Sequence, residues 1–523
     1  KDDLIALKML KIDVLGLGML TALEKSFSLL RERGHKLDLY NIPADDGPTY
    51  RMIQAADTVG TFQVESRAQM SLLPRLKPKN FYDLVIEVAI VRPGPIQGGM
   101  IHPFIRRRDG LEPVTYPHPD LKPILERTAG VPIFQEQIMQ IASAVCGFTP
   151  GEADELRRIM SSSWKKDDLM QGLKQRLISG MLNHGIAREY AEQIYQTIIG
   201  FASYGFPESH AASFAILTYA SCYIKCRHPG VFVTALLNAQ PMGFYSPRAL
   251  IADAQRHGVK FRHVCVQRSD YDYLMEDEHV RVGFRAISGL KEKHVQQLVK
   301  DRRAHGPFKD LTDFIRRTKL LKTTLLQLGA AGALQEFGFT PREALWRIQG
   351  LNLDPQGLFF GTPPGGGIDQ SALLPAEDEW QKLQREYESQ GYSLVRHPVG
   401  ILRPSLGRGF TMARDLMRMR DGGRLRVAGL LSMQQRPPTA KGFAFLTLED
   451  ETGIINVVLK PDVYEKFRLV VIHNPLLSIA GRLQKVGRVI HVKAESVAAL
   501  PVEELLDSSR FDFNKCFDDH SVG

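Results

Sequence analysis

At 523 residues the chain is too long for one compact core, and about 100–200 residues per domain implies roughly three to five units. Its 24% charged and 44% hydrophobic content is ordinary for a soluble globular protein, and no apolar stretch is long enough to span a bilayer. The net charge of +9 fits either a polyanionic partner such as nucleic acid or a mildly basic surface.

Five cysteines, Cys146, Cys222, Cys226, Cys265 and Cys516, lack the paired spacing of a disulfide frame. Their sparse, odd-numbered use fits a reducing cytosol. The opening KDDLIALKML is not a signal peptide and carries no initiator Met, so Lys1 reads as an interior position of a longer polypeptide.

In chain order, an apolar run from Leu10 to Leu17 predicts a strand, and the pattern from Met19 to Leu30 predicts a helix stopping at Gly34. Residues 46–235 read as mainly helical, broken by loops such as RPGP at 92–95. Ile186, Tyr190, Ile194 and Ile198 recur every four residues and predict one buried helical stripe ending at Gly200. After the loop Ser203-Tyr204-Gly205-Phe206-Pro207, Ser209 is placed to cap an apolar helix running to Cys226. Cys222 and Cys226, four apart in that run, read as buried thiols.

VGFRAISGL (282–290) and TTLLQLGAAGALQEFG (323–338) each place an apolar-x-Gly turn beside a helix. That is the spacing of helix–hairpin–helix units, whose turn amides can reach a phosphate, or of plain turns between core helices. GTPPGGG at 361–367 reads as a linker, and the acidic stretch 377–388 as a solvated helical face. LRVAGLL, FAFLTLED, GIINVVL, PLLSIAGRL and VIHVKAE alternate as short strands over 425–497. With Arg424, Arg426, Lys441, Arg482, Lys485, Arg488 and Lys493 beside them, they predict an OB-fold barrel for single-stranded nucleic acid.

The block Lys11-Ile12-Asp13-Val14-Leu15-Gly16-Leu17 puts a carboxylate inside an apolar strand. A buried Asp needs a partner, either hydrogen-bond donors or a divalent cation of the kind used in phosphoryl transfer. KIDVLGLGML resembles the third-aspartate strand of the palm in bacterial C-family polymerases, the alpha subunit family of the replicative holoenzyme. The resemblance continues collinearly through TVGTFQVESR (58–67), RPGPIQGGM (92–100), PIFQEQIMQIA (132–142), ADELRRIM (153–160) and SYGFPESHAASFA (203–215), then through the hairpins and barrel.

The resemblance implies an α+β multidomain protein. Its parts are a palm remnant (1–45), mainly helical fingers (46–238), a fingers extension with tandem helix–hairpin–helix (239–350), a linker (351–420), an OB-fold barrel (421–498) and a tail (499–523). It implies a cytoplasmic bacterial DNA-directed DNA polymerase that uses two Mg²⁺ ions, primer–template DNA and dNTPs. Asp13 matches the third catalytic, metal-holding carboxylate, and Lys11 shares its strand face. Arg157 and Arg158 match nucleotide-pocket arginines suited to phosphate oxygens. Tyr204, Ser209 and His210 match the nucleotide-facing loop and helix start. Gln63, Arg67 and Arg92 match DNA-positioning positions, beside Glu65 and Ser66. Gln356, Leu358, Phe359 and Phe360 resemble a sliding-clamp peptide.

Two departures matter. The main replicative enzymes carry Asn-Lys before Ser-His where this chain has Pro207-Glu208, which points to the error-prone, damage-tolerance (translesion) branch. The family's other two catalytic aspartates belong to a segment preceding Lys1, so the 523-residue chain alone is expected to be inactive. The competing readings are the main replicative alpha subunit and a non-catalytic DNA-binding module.

Overall fold

The computed structural model describes residues 16–91, 101–116, 118–161, 167–202, 206–243, 245–351, 374–407, 409–437, 440, 442–486 and 489–502, with the backbone alone for 157–161, 167–171, 173, 197–202 and 486. The chain divides into two compact units, Lys1–Leu23 with Arg33–His228, and Glu24–Glu32 with Pro229–Gly523.

The first unit is helical. Its helices of eight residues or more are α1 (Leu17–Glu32), whose second half counts with the other unit, α2 (Gly47–Gln54), α3 (Arg67–Leu76), α4 (Phe81–Ile90), α5 (Ile101–Arg108), α6 (Gln135–Val145), α7 (Pro150–Ser161), α8 (Asp167–Asn183), α9 (Arg188–Ala202) and α10 (Glu208–Arg227). Short polar side chains start several of them. Asp46 accepts from Thr49 N at 3.0 Å ahead of α2, and Asn80 accepts from Asp83 N at 3.0 Å ahead of α4. Leu73, Leu84, Ile90, Phe134, Ile138 and Ile141 are fully buried in one shared core. Helix α4 carries FYDLVIEVAI, apolar nearly all round, and is buried accordingly.

Several local expectations need correction. Leu17 opens α1 instead of ending a strand, while residues 10–15 lie outside the described residues. The stripe helix α9 starts at Arg188, so Ile186 is buried but precedes it, and the helix passes Gly200 to reach Ala202. Ser209 does not cap α10. Pro207, extended at φ −66°, holds the cap position, and the Glu208 N–H donates instead to Glu136 Oε2 at 2.9 Å. Of the two thiols on α10, Cys222 is buried and Cys226 only partly so.

The second unit continues with α11 (Pro229–Asn238), α12 (Pro247–Arg256) and a three-stranded sheet. Its strands are β1 (Lys260–Arg262), β2 (Leu274–Glu276) and β3 (His279–Arg281), ordered β1-β3-β2. Four helices follow, α13 (Glu292–His305), α14 (Leu311–Thr318), α15 (Lys322–Ala330) and α16 (Pro341–Gln349), then α17 (Glu379–Gln390) and α18 (Pro398–Leu406). The acidic stretch is not simply a solvated face, because α17 buries Trp380, Leu383 and Tyr387 against Val399, Leu402, Ala428 and Leu430.

Strands β4 (Arg424–Gln435), β5 (Ala444–Asp450), β6 (Gly453–Leu459), β7 (Leu476–Val486) and β8 (Val489–Ala499) close a barrel in the order β4-β5-β6-β8-β7. Neighbours are antiparallel except β6 and β8, which run parallel with Val457 opposite Val492. Val427, Leu446, Leu448, Ile455, Val457, Ile479 and Val492 fill the interior with no exposure. Helix α19 (Pro461–His473), between β6 and β7, was not anticipated. It packs Tyr464 and Val471 into the same core.

Candidate functional site

In the first unit the segment Thr58–Ser66 is a loop held in shape by its own side chains. Thr58 Oγ1 donates to Val64 O at 2.6 Å and Thr61 Oγ1 to Thr58 O at 2.8 Å, both fully buried. Gly60 at φ +77° and Gln63 at φ +63° make the reversals, the latter an uncommon conformation for a side-chain-bearing residue. Ser66 caps α3 through Gln69 N, so Arg67 begins that helix.

Helix α10 fixes the loop from outside. Phe62 N donates to Ser221 Oγ at 3.0 Å, and the buried Lys225 Nζ donates to Val59 O at 2.9 Å while pairing with Asp57 at 3.5 Å. Ser221 and Lys225 lie four apart and so share one helical face. An aromatic chain continues the contact. Phe62 meets Phe214 edge-on at 5.2 Å, Phe214 meets His210 at 4.2 Å, and His210 meets Phe206 at 4.9 Å. Gly16, at φ +86°, lies against the Phe62 ring, where a Cβ would stand 3.5 Å from Cζ. At the other end Gln135 N donates to Phe206 O at 3.2 Å.

Four separated motifs thus converge: the end of KIDVLG at Gly16, TFQVESR at Phe62, FQEQ at Gln135 and Glu136, and GFPESHAASF from Phe206 to Phe214. The exposed His210, leaning on two Phe rings, is an aromatic side chain of the type on whose face bases stack. Ser209 is exposed in the first turn of α10, and Gln63 and Arg67 are half-buried. Arg157 and Arg158 lie on α7 by backbone position. Asp13, Lys11, Arg92, Tyr204, Gln356, Leu358, Phe359 and Phe360 lie outside the described residues. No motif in the sequence marks Phe62, Phe214, Ser221 and Lys225 as site residues. The i, i+4 spacing of His210 with Phe214 was the available signal for one pair.

Glu208 is not a free charge at this helix start. Its carboxylate accepts from Tyr82 Oη at 2.7 Å and stands 3.8 Å from Arg127, whose guanidinium lies 4.1 Å over the Tyr82 ring. A carboxylate in the first turn is also favoured by the helix dipole.

Burial pushes the Glu65 carboxyl up to about 8, against the smaller opposing pull of the Gly60 N–H and Lys225. Folding therefore takes up a proton at Glu65 between its unfolded value of 4.5 and about 8. The contribution is full below 4.5 and is lost as pH rises through 8. Glu65→Gln keeps an oxygen acceptor for Gly60 N, which now donates at 3.1 Å. Urea unfolding across this range is expected to show wild-type stability falling relative to the variant as pH rises, with a constant offset above 8. Parallel curves would rule the assignment out.

In the second unit, turns with positive φ at Gly289 and Gly332 join the helices. Helix α17 braces both turns. Ser288 N already donates to Ser389 O of α17 at 2.8 Å, and Arg385 and Gln390 of α17 donate to Ala330 O and Ala331 O.

On the barrel, Arg424 pairs with Arg482 across β4 and β7, and Arg482 pairs with Lys493 across β7 and β8. Directly opposed residues point to the same face, so three exposed cations form one row. Like charges in register destabilise a sheet, and the Arg482–Glu495 bridge at 3.0 Å offsets part of that cost. A polyanion would reverse that cost. Lys485 leaves the predicted basic edge because its ammonium donates to the carbonyls of Met417 and Met419. Arg426 lies 5.2 Å over Phe410, whereas Lys441 and Arg488 are outside the described residues.

Residues 19–185 match the bacterial DNA polymerase III alpha subunit finger domain, 258–344 a helix–hairpin–helix motif, and 426–500 an OB-fold nucleic acid binding domain. The chain is 51% identical over 522 residues to a protein of Bdellovibrio bacteriovorus named error-prone DNA polymerase, covering 96% of this chain and 49% of that relative. Relatives of the same name in Anaeromyxobacter dehalogenans and Pseudomonas fluorescens are each 47% identical, over 98% and 96% of this chain and 47% and 49% of their own lengths. The chain belongs to the bacterial DNA polymerase III alpha family. Within that family it falls in the error-prone branch, as Pro207-Glu208 implied. It spans about half the length of the curated relatives it matches. No helix among the described residues is long and apolar enough to cross a membrane.

Proposed function

We propose that this chain supplies the fingers, hairpin and barrel portions of an error-prone DNA-directed DNA polymerase that extends primers in the cytoplasm during damage tolerance. The observation carrying this reading is the collinear order of fingers, hairpins and barrel in a chain 46–51% identical to error-prone polymerases. The intact protein transfers a nucleotide from a dNTP to a primer 3′ end and releases pyrophosphate. Catalysis of that kind rests on positioning and electrostatics.

Asp13 serves as one of three carboxylates for Mg²⁺, and Lys11 offsets triphosphate charge from the same strand face. When bound, the metal supplies electrostatic stabilisation of the transferring phosphate. Arg157, Arg158, Tyr204, Ser209 and His210 face the nucleotide, and the convergence at Phe62 and His210 supports that assignment. Gln63, Arg67 and Arg92 position primer–template DNA. The cationic row Arg424, Arg482 and Lys493 follows the backbone of single-stranded template. Gln356, Leu358, Phe359 and Phe360 engage a sliding clamp, consistent with their place between hairpins and barrel.

Primer extension tests the reading. In the full-length polymerase, Asp13→Asn is expected to lower the extension rate by about 10²–10³-fold or more, the scale for losing one electrostatic group at a reacting phosphate or carbonyl. The 523-residue chain alone is expected to bind primer–template yet extend nothing. Full activity of the variant would remove Asp13 from the active centre, and extension by the chain alone would overturn the need for two further carboxylates.

A further inference from the structure

A second cluster of ligand-type side chains lies in the first unit, away from the loop at Phe62. His118 precedes the tight turn Pro119–Leu121, Asp120 is inside that turn, and His184 directly follows the end of α8. Asp120 Oδ2 stands 3.5 Å from His118 Nδ1 and 3.4 Å from His184 Nε2. One ligand atom from each residue lies within 4.8 Å of the other two, and the imidazole rings meet edge-on at 5.0 Å.

We propose that His118, Asp120 and His184 form a binding site for a divalent transition cation, with Zn²⁺ the best chemical match. Metal–ligand bonds of about 2.0–2.1 Å in a tetrahedron put ligand atoms about 3.3–3.4 Å apart. The two oxygen–nitrogen separations, 3.5 and 3.4 Å, lie close to that edge. Two neutral imidazoles and one carboxylate make a borderline donor set, suited to zinc and not to Mg²⁺ or Ca²⁺, which prefer all-oxygen shells.

The placement is equally favourable. His184 N donates to Gly180 O at 3.1 Å, and Gly185 at φ +84° turns the chain away, so the imidazole is carried at the C-terminus of α8. Helix C-termini attract cations. His118 is half-buried, whereas Asp120 and His184 are exposed, leaving a fourth coordination position to solvent. An occupied site clips the 118–120 turn to the end of α8, joining two segments that are distant in sequence. Nucleotidyl transfer does not call on this cluster, so its role is to stiffen the fingers.

His118 Nδ1 also accepts from Asp120 N at 3.3 Å, and coordination through that nitrogen exchanges a long helix cap for a metal bond. His118→Asn retains a good capping oxygen while removing the imidazole, so it separates metal loss from misfolding. His184→Ala removes a ligand outside the turn.

The experiment is titration of the EDTA-stripped 523-residue chain with Co²⁺, followed by visible absorption and then Zn²⁺ displacement. One equivalent with the intense bands of a four-coordinate site, displaced by Zn²⁺, is expected, and both variants lose it while keeping wild-type circular dichroism. Zn²⁺ is also expected to raise the thermal midpoint of the wild type and of neither variant, because a ligand that binds only the folded state stabilises it. If the wild type gives no saturable Co²⁺ signal, or if both variants retain it, the cluster is an ion-pair chain and the proposal fails.

Discussion

Gly481→Ala is expected to destabilise the barrel by about 3 kcal/mol, the upper end for forcing extra volume into a packed site. A Cβ at Gly481 would stand 2.1 Å from Lys493 O and 2.9 Å from its carbonyl carbon, and both atoms are backbone that cannot rotate away. The position coincides with the register shift between Ala480 and Gly481 in the β7–β8 pair. Close approach of the two strands there needs a residue with no side chain. Gly481 also immediately precedes Arg482, so displacing β8 breaks the alignment of Arg482 with Lys493. Thermal unfolding and binding of a single-stranded oligonucleotide should therefore fall together. Gly409→Ala, where a Cβ meets nothing within 4 Å, is the neutral control. An unchanged midpoint for Gly481→Ala would mean that the strands are not packed this closely.

Lys225→Met is expected to cost about 3 kcal/mol in the first unit, since it leaves a buried backbone acceptor unpaired, a defect worth about 1–3 kcal/mol. Lys225 is 3% exposed, and its ammonium donates to Val59 O at 2.9 Å. Methionine fills much the same volume but offers no donor, so the loss is one of polarity and not of packing. The Asp57 partner, 36% exposed at its side chain, can be hydrated and adds less. The loss falls on the loop carrying Gln63 and Glu65, so protease cleavage within 58–66 should accelerate in proportion to the drop in urea midpoint. A variant as stable as wild type, with unchanged cleavage, would show that the loop holds its shape without α10.

How far the sequence carried the structure depends on the range of the interactions involved. The five barrel strands were readable because alternation of apolar and polar residues is a property of a few consecutive positions, and the same face fills the barrel from Val427 to Val492. The hairpin turns were readable because Gly289 and Gly332 adopt positive φ, which glycine does at little steric cost. The helix start at Ser209 was misread for a related reason. A capping residue was present, but a carboxylate 72 positions away had already taken the leading amide.

By itself the sequence determined the order of fingers, hairpins and barrel, the membership of the polymerase III alpha family, and the branch marked by Pro207-Glu208. Each rests on local pattern or on collinear motifs, and neither needs a folded chain to be recognised. Only the tertiary structure decided which side chains act together. The bond from Phe62 N to Ser221 spans 159 positions, that from Lys225 to Val59 spans 166, and that from Tyr82 to Glu208 spans 126. The Lys485 ammonium, taken for a nucleic-acid contact, was claimed by backbone carbonyls of the segment before β4. A hydrogen bond acts over about 3 Å, so its partner is set by packing of the whole unit, and no periodicity along the chain records it.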